Sequence, residues 1–183
     1  MLHLIGIGKV GKKILEKAYE AGVNAKLTCI IKNYNRINQM DAPSEFIDFD
    51  PEFIKNPASA LNLFYGNPAN TGYITIAGLG GRGGALLLES LTDFFMNNGI
   101  AHYSIGVCPF VFEGTARRQK AIETIQKLQS NPSFTYFDNN LVKEKYKGKI
   151  NIGEAFGMVD NAIVELIINL TSEENTNPNF KCN

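Results

Sequence analysis

Short apolar runs alternate with segments of helical period along most of this chain, and that alternation limits the possible folds more than any other feature. Each apolar run has the length of a buried strand, and the runs cover residues 2–7, 25–31, 73–77, 100–107 and 134–137. The helical segments cover residues 10–19, 85–97, 115–128 and 153–170. Parallel strands joined through helices form right-handed crossovers. The pattern therefore predicts an α/β fold, with a mainly parallel sheet and helices on both faces.

Residues 34–72 interrupt this regularity. Asparagine is frequent there, and the segment contains Pro43, Pro51, Pro57 and Pro68. Proline lacks a backbone donor and interrupts both helices and strands, so we predict loops and one short helix near residues 58–65. The chain has 183 residues, which suits a single domain. We place that domain at residues 1–175 and a C-terminal tail at residues 176–183.

The charge balance and the scarcity of metal-binding side chains exclude several classes of function. Lys and Arg together number 18, as do Asp and Glu, so no net positive charge attracts nucleic acid or an anionic membrane. Three cysteines without CxxC spacing and two histidines offer no zinc site and no His-based catalytic triad. No apolar run approaches the roughly 20 residues that span a bilayer, and the first residues lack signal-peptide features. We therefore expect a cytoplasmic protein.

The first candidate site is a glycine-rich turn between the first strand and the first helix, Gly6-Ile7-Gly8-Lys9-Val10-Gly11. Glycines allow backbone N–H groups to approach a phosphate, and a helix N-terminus favours an anion. A dinucleotide site would usually add an acidic residue about 20 positions later, but the second strand ends without a carboxylate, in Ile31-Lys32-Asn33. Lys32 would suit a 2′-phosphate, and a tight turn without a ligand is the other alternative.

A second glycine-rich turn lies between the strand at residues 73–77 and the next helix. It reads Gly78-Leu79-Gly80-Gly81-Arg82-Gly83-Gly84, with five glycines in seven residues. Glycine loses more conformational freedom on folding than any other residue, so such a loop indicates either a phosphate site or a flexible turn. Arg82 would contact phosphate through its planar guanidinium group. Two such turns in one domain point to an extended phosphate chain, such as a di- or triphosphate.

A third motif, Pro109-Phe110-Val111-Phe112-Glu113-Gly114, leads into a helix that carries Arg117 and Arg118. Here the sequence resembles the GTP-binding domain of the FtsZ/tubulin family, which has PFxFEG and an arginine three residues later. The segment from Ala77 to Gly114 fits the family without a gap. Residues 137–141 resemble its PND-type loop and residues 155–163 its AFRAAD-type central helix. The resemblance covers about residues 1–33 and 73–178.

The resemblance implies a Rossmann-like GTPase-domain topology and a set of roles. Phosphates of GTP or GDP, with Mg²⁺ as a candidate companion, would lie against Gly6, Gly8, Lys9, Gly11 and the loop from Gly78 to Gly84. The ribose would meet Glu113 and Arg117. Guanine would be read by Asn139 and Asp160, with Phe156 stacked on it. Helix geometry agrees independently, because Phe156 and Asp160 are four residues apart and share one flank. The family also implies a homo-oligomer or an FtsZ-like polymer partner.

The chain also departs from the family pattern. Lys9, Lys12 and Lys13 stand where the family has glycines and asparagines, and the second loop lacks the family's two threonines. A loop that contacts the γ-phosphate is expected within residues 34–72, but no motif identifies it. In the family, an acidic loop that completes hydrolysis in the neighbouring subunit follows the central helix, and this chain stops near that point. We therefore expect weak GTP hydrolysis or none, and we assign no catalytic residue and no protein metal site.

Three interpretations follow from the sequence. The chain is a guanine-nucleotide-binding, FtsZ-like regulator of the cytoskeleton or of cell division. Alternatively, it has that fold but has lost the nucleotide and serves as an interaction module. The third alternative is a dinucleotide-dependent enzyme that uses the first glycine-rich turn. Neither nucleic acid nor a membrane is an expected partner.

Overall fold

The protein has a six-stranded sheet in which every pair of neighbouring strands is parallel. The computed structural model describes residues 1–31, 42, 44–48, 71–147 and 149–172. Its strands are β1 (Leu2–Ile7), β2 (Lys26–Ile31), β3 (Glu45–Asp48), β4 (Gly72–Gly78), β5 (His102–Cys108) and β6 (Phe134–Asp138). Their order in the sheet is β3-β2-β1-β4-β5-β6.

Helices cover both faces of this sheet, which confirms the predicted fold class. They are α1 (Gly8–Glu20), α2 (Arg82–Asn97), a 3₁₀ turn (Val111–Glu113), α3 (Thr115–Leu128), α4 (Asn139–Lys145) and α5 (Ile152–Thr171). Apolar side chains of α1 and α5 share one core layer, and those of α2 and α3 share the other. The long α5 begins with a capping box, in which Asn151 and Glu154 each accept a hydrogen bond from the other's backbone N–H.

The two core layers follow from the alternation of side chains along each strand. In β1, Leu4 belongs to the layer under α1 and α5, whereas Ile5 belongs to the layer under α2 and α3. In β4, Ile76 faces the first layer and Ala77 the second. Strands buried on both faces read as continuous apolar runs, which is why these strands were visible in the sequence.

Two elements differ from the sequence predictions. The strand β3 lies in the segment where only loops and a helix were predicted; its four residues are too few to show a period, and it forms by pairing with β2. The helix α4 begins inside the predicted loop at residues 137–141. It forms because the Asp138 side chain caps it by accepting a hydrogen bond from the Asn140 backbone N–H at 2.9 Å. The predicted helix near residues 58–65 lies outside the described residues.

The chain order places a crevice between β1 and β4. The connection after β1 runs through α1 on one face, and the connection after β4 runs through α2 on the other. Loops leaving the carboxyl ends of such strands diverge, and ligands of open α/β sheets bind in the resulting crevice. Both glycine-rich turns therefore lie at this point of the sheet. Within the described part of the chain, no helix is long and apolar enough to cross a membrane.

Two buried histidines make the stability of this fold sensitive to acid. His3 is 1% exposed, and its Nε2 lies 2.8 Å from the Thr28 hydroxyl. Burial, and then the nearby Lys26 charge, lower the pKa of His3 from 6.5 to about 4. Burial also lowers the pKa of His102, although the Ile100 carbonyl partly opposes this. The fold therefore favours both imidazoles in the neutral form.

We predict that acidification destabilises the protein well before its carboxylates protonate. The folded pKa of His3 lies below its unfolded value, so its neutral-state stabilisation is complete above 6.5 and is lost as pH falls towards 4. His3 alone should lower the free energy of unfolding by about 2 kcal/mol between about pH 7.5 and about pH 5. Urea unfolding at several pH values measures this. The His3→Gln variant should show a shallower pH dependence, and an unchanged dependence would contradict the prediction.

Candidate functional site

A cleft of about 700 Å³ opens at the carboxyl ends of β1, β4 and β5. Its volume falls within the range of sites for small ligands and cofactors. Most of the site residues predicted from the sequence line it, namely Gly8, Lys9, Gly78, Gly80, Gly81, Gly84, Glu113, Arg117, Asn139, Phe156 and Asp160. Gly6, Gly11 and Gly83 are not among the lining residues. The structure thus brings together residues from both glycine turns, the third motif and α5.

Gly6 and Gly11 bring α1 against β1. A Cβ atom on Gly6 would lie 2.6 Å from the Gly11 carbonyl carbon, and one on Gly11 would lie 2.7 Å from the Ile76 carbonyl oxygen. Neither position can hold a side chain unless the backbone moves. Gly8 starts α1 with a φ of 71°, a left-handed conformation that favours glycine. The motif therefore has two tasks, because Gly8 faces the cleft while Gly6 and Gly11 fix the helix behind it.

The second glycine turn has the same close packing. A Cβ on Gly84 would lie 2.7 Å from the Gly78 carbonyl oxygen, and one on Gly80 would lie 3.1 Å from the Pro109 ring. The turn thus joins α2 closely to β4 and to the loop after β5. Arg82 is the first residue of α2, and its predicted side-chain contact with phosphate lies outside the described side chains.

Both helices that begin at these turns present N-termini suited to an anion. Neither α1 nor α2 has a side-chain cap, and neither has an acidic residue in its first turn. The first N–H groups of a helix have no partner within the helix and carry a partial positive charge. Lys9 on α1 and Arg117 on α3 add cationic side chains to the lining of the cleft. These features would favour an anionic group at this end of the cleft.

The third motif is held in place by its own carboxylate and by the next arginine. Glu113 lines the cleft, and its Oε1 accepts a hydrogen bond from the Phe110 backbone N–H at 2.8 Å. Arg118 donates to both Asp138 carboxylate oxygens, at 3.0 and 2.7 Å, and to the Pro109 carbonyl at 2.8 Å. Burial alone would raise the pKa of Asp138, but hydrogen bonds from Arg118 and Asn140 outweigh it and lower that pKa.

Sequence reasoning missed this positioning role of Arg118. Its guanidinium group ties the loop after β5 to the end of β6, immediately before Asn139. The signal available in the sequence was an adjacent pair of arginines facing different directions on one helix. Arg117 lines the cleft, whereas Arg118 bonds to Asp138 and Pro109.

The far end of the cleft combines an aromatic ring with buried acceptors. Phe156 packs edge-on against Phe110, with ring centroids 4.9 Å apart. Asn139 and Asp160 are 2% and 6% exposed. Among the described residues, three buried side-chain polar atoms lack a hydrogen-bond partner: His102 Nε2, Asn139 Oδ1 and Asp160 Oδ2. Two of the three therefore belong to residues of this cleft, and both are acceptors.

Lys13 is a cleft residue that the sequence did not single out as a site. Its Nζ lies 2.7 Å from Asp160 Oδ2, an ion pair without hydrogen-bond geometry, and 5.9 Å from the centre of the Phe156 ring. Lys9 and Lys13 are four residues apart on α1 and both line the cleft. Lys12 points elsewhere and pairs with Glu16. Helical spacing could have shown that Lys9 and Lys13 share one face of α1 and that Lys12 does not. The contact of Lys13 with Asp160 on α5 could not be inferred from spacing.

Within the described ranges, no group of three or more His, Cys, Asp or Glu residues could hold a metal ion. The predicted Mg²⁺ therefore has no protein ligand cluster in this part of the chain.

We predict opposite effects for the same substitution at two glycines. Gly11→Ala places a methyl group 2.5 Å from the Gly6 carbonyl carbon, and it should lower the free energy of unfolding by about 2–3 kcal/mol. Gly157→Ala meets nothing within 4 Å and lies inside α5, so it should raise that free energy by about 0.5–1 kcal/mol. Denaturant unfolding measures both. If Gly11→Ala proved as stable as the wild type, α1 would not depend on this close approach.

Known proteins share sequence similarity and fold with this chain. No protein-family model matches the sequence. The chain is 23% identical, over 187 aligned residues, to the cell division protein FtsZ of Aquifex aeolicus strain VF5. That alignment covers 93% of this chain and 51% of the FtsZ. The chain thus spans about half the length of this curated relative.

Solved structures agree on the fold. The structure of an empty FtsZ dimer from M. jannaschii matches with a TM-score of 0.71 and 18% identity, over 92% of this chain and 53% of that one. The phage tubulin PhuZ with GDP matches with a TM-score of 0.67 and 16% identity, over 91% and 54% of the two chains. The chain is thus similar in sequence to an FtsZ and in fold to members of the FtsZ/tubulin family, which confirms the resemblance read from the motifs.

Proposed function

We propose that this chain binds a guanine nucleotide, GDP or GTP, in the cleft between its two glycine-rich turns. The observation that carries the proposal is the polarity of the cleft. Two uncapped helix N-termini lie at one end, and two buried acceptors without a hydrogen-bond partner, Asn139 Oδ1 and Asp160 Oδ2, lie at the other. A nucleotide has the complementary order, with anionic phosphates at one end and a base with N–H donors at the other.

The phosphate end suits a di- or triphosphate. Gly8 and Gly81 leave the backbone open beside the first turns of α1 and α2, because a Cβ at either position would meet nothing within 4 Å. Backbone N–H groups of both helices can therefore approach phosphate oxygens directly. Lys9 and Arg117 add charge to the lining. Glu113 in the 3₁₀ turn and Arg117 in α3 would contact the ribose.

The base end suits guanine rather than adenine. Guanine offers N–H donors at N1 and N2, whereas adenine has a lone pair at N1 and no amine at C2. Asp160 is a carboxylate whose buried Oδ2 accepts no hydrogen bond, although the Lys13 ammonium lies beside it, and Asn139 Oδ1 is a second buried acceptor without a hydrogen-bond partner. Burying an acceptor against a lone pair costs about 1–3 kcal/mol. Phe156 supplies an apolar surface on which a base can stack.

The shape of the cleft favours a mononucleotide over a dinucleotide. Its described lining residues come from β1, α1, β4, the turn into α2, β5 and the segments that follow it, and none comes from β2. An NAD-type ligand would extend over the end of β2, where an acidic residue binds its ribose. The described part of β2 ends at Ile31, without a carboxylate. The described lining of the cleft therefore fits a guanine mononucleotide better than a dinucleotide.

We further propose that GTP hydrolysis by this chain alone is weak or absent. We also propose that the chain acts as a self-associating regulator. Among the described residues, two carboxylates line the cleft, Glu113 and Asp160. Glu113 bonds to the Phe110 N–H, and Asp160 pairs with Lys13. Neither is disposed to orient an attacking water, and phosphoryl transfer depends on such positioning. The names of the relatives, a cell division protein and an FtsZ dimer, motivate the proposed role and the expected homo-oligomer.

The decisive test compares GDP and ADP binding by calorimetry. The wild type should prefer GDP by about tenfold, since adenine would face the Asp160 carboxylate with a lone pair. Asp160→Ala should weaken GDP binding and remove most of that preference. The matched control is Asn161→Ala, because Asn161 is exposed and its Oδ1 accepts only an exposed hydrogen bond from Lys17 at 2.8 Å.

Equal GDP/ADP ratios in all three proteins would refute base reading by Asp160. No heat with either nucleotide would instead favour the interaction module that has lost its ligand, and binding of NAD or NADP alone would favour the dinucleotide-dependent enzyme.

We also predict that the purified chain releases phosphate from GTP very slowly, at a rate per molecule that does not rise with protein concentration. The cleft carboxylates of the described residues have structural partners, so little activates the water. Phosphate release, followed over a range of protein concentrations, measures the rate. Fast turnover that increases with protein concentration would show that self-association completes a catalytic site.

A further inference from the structure

Lys13 contacts the two residues of the cleft that would receive a guanine base. Its ammonium lies 2.7 Å from the Asp160 carboxylate oxygen and 5.9 Å from the centre of the Phe156 ring. One side chain of α1 therefore engages both the stacking surface and the edge-reading carboxylate. Two other lysines of α1 have different partners, since Lys12 pairs with Glu16 and Lys17 donates to Asn161.

The contact occupies one of the two Asp160 carboxylate oxygens that a guanine edge could use. Asp160 Oδ2 is buried, and the Lys13 ammonium is its near neighbour at ion-pair distance. A base that donates N1–H to this oxygen must approach within about 3 Å, and the ammonium already lies at that distance. Both groups are donors, so they compete for the same lone pairs.

We propose that Lys13 is a specificity-determining residue that competes with guanine for Asp160, and so weakens guanine-nucleotide binding and narrows the preference for guanine over adenine. This inference rests on the proposed function, because it concerns the same cleft. While the ammonium neutralises the carboxylate, the edge of the cleft repels adenine less and attracts guanine less. Guanine binds fully only after Lys13 has left Asp160.

The competition weakens binding without blocking it. The Lys13 side chain is 51% exposed, whereas the Asp160 side chain is 8% exposed. A flexible lysine stem on the surface of α1 lets the released ammonium return to water. Ion pairs with a solvent-exposed partner contribute little, so the effect on affinity should be about fivefold.

The test replaces Lys13 with methionine, which keeps the apolar stem and removes the charge. Lys17→Met is the matched control, because Lys17 lies one turn further along α1 and also contacts α5, through Asn161, but is not part of the cleft lining. Calorimetry with GDP should show about fivefold tighter binding for Lys13→Met and wild-type binding for Lys17→Met. ADP binding by Lys13→Met should be unchanged or weaker, so the GDP/ADP ratio rises.

A double variant separates competition from a general effect on the fold. In the Asp160→Asn background the ion pair is absent, so adding Lys13→Met should no longer tighten GDP binding. Thermal unfolding of each variant verifies that it is folded. If Lys13→Met still tightened GDP binding in the Asp160→Asn background, the proposal would be overturned.

The remaining outcomes separate this inference from the proposed function. Equal or weaker GDP binding by Lys13→Met, with binding by the wild type intact, would overturn the role of Lys13 alone. Weaker binding in particular would mean that Lys13 assists the base. Absence of GDP binding from both proteins would overturn both proposals. Binding by Lys13→Met where the wild type shows none would support the competition by Lys13 and contradict nucleotide binding by the natural chain.

Discussion

The contact between the backbones of Gly6 and Gly11 is the constraint on which the rest of the structure depends. It seats α1 directly against β1, at distances that no side chain could share. That placement aims the first turn of α1 into the crevice between β1 and β4, and it sets the height at which Lys13 meets α5. The second glycine-rich turn has the same kind of close backbone contact, between Gly84 and the Gly78 carbonyl oxygen. Two helix N-termini thereby converge on one cleft from opposite faces of the sheet.

The sequence was sufficient for the architecture because this sheet is buried on both faces. Strands such as β1 and β4 have few exposed positions, so they appear as apolar runs, and α3 begins and ends where its period predicted. The short edge strand β3 has no such signature and depends on β2 for its hydrogen bonds. The helix α4 depends on one capping carboxylate, that of Asp138. Aspartate is also common in turns, so this residue alone did not indicate a helix.

The candidate site was predicted where backbone chemistry determines it and missed where side chains pair across the fold. The glycine-rich turns and the third motif are recognisable from their own residues, and most of those residues line the cleft. Two ion pairs join elements that are remote in the sequence. One is the bidentate pair between Arg118 and Asp138, and the other is the pair between Lys13 and Asp160. No periodicity records which lysine of α1 will reach α5. Such pairs change the charge that a ligand would meet, so the Lys13 contact with Asp160 could be found only in the structure.

The position of α5 at the end of the described chain has a consequence for biosynthesis. The residues that would bind phosphate come from the first half of the chain and leave the ribosome early, whereas Phe156 and Asp160 leave it late. A nascent chain that has formed β1, α1, β4 and α2 would have its anion-binding turns but no base-reading edge. Until α5 packs against α1, any nucleotide or inorganic phosphate would be held without discrimination, and Lys13 would have no carboxylate to pair with. The base end of the proposed site would thus be the last part to be synthesised.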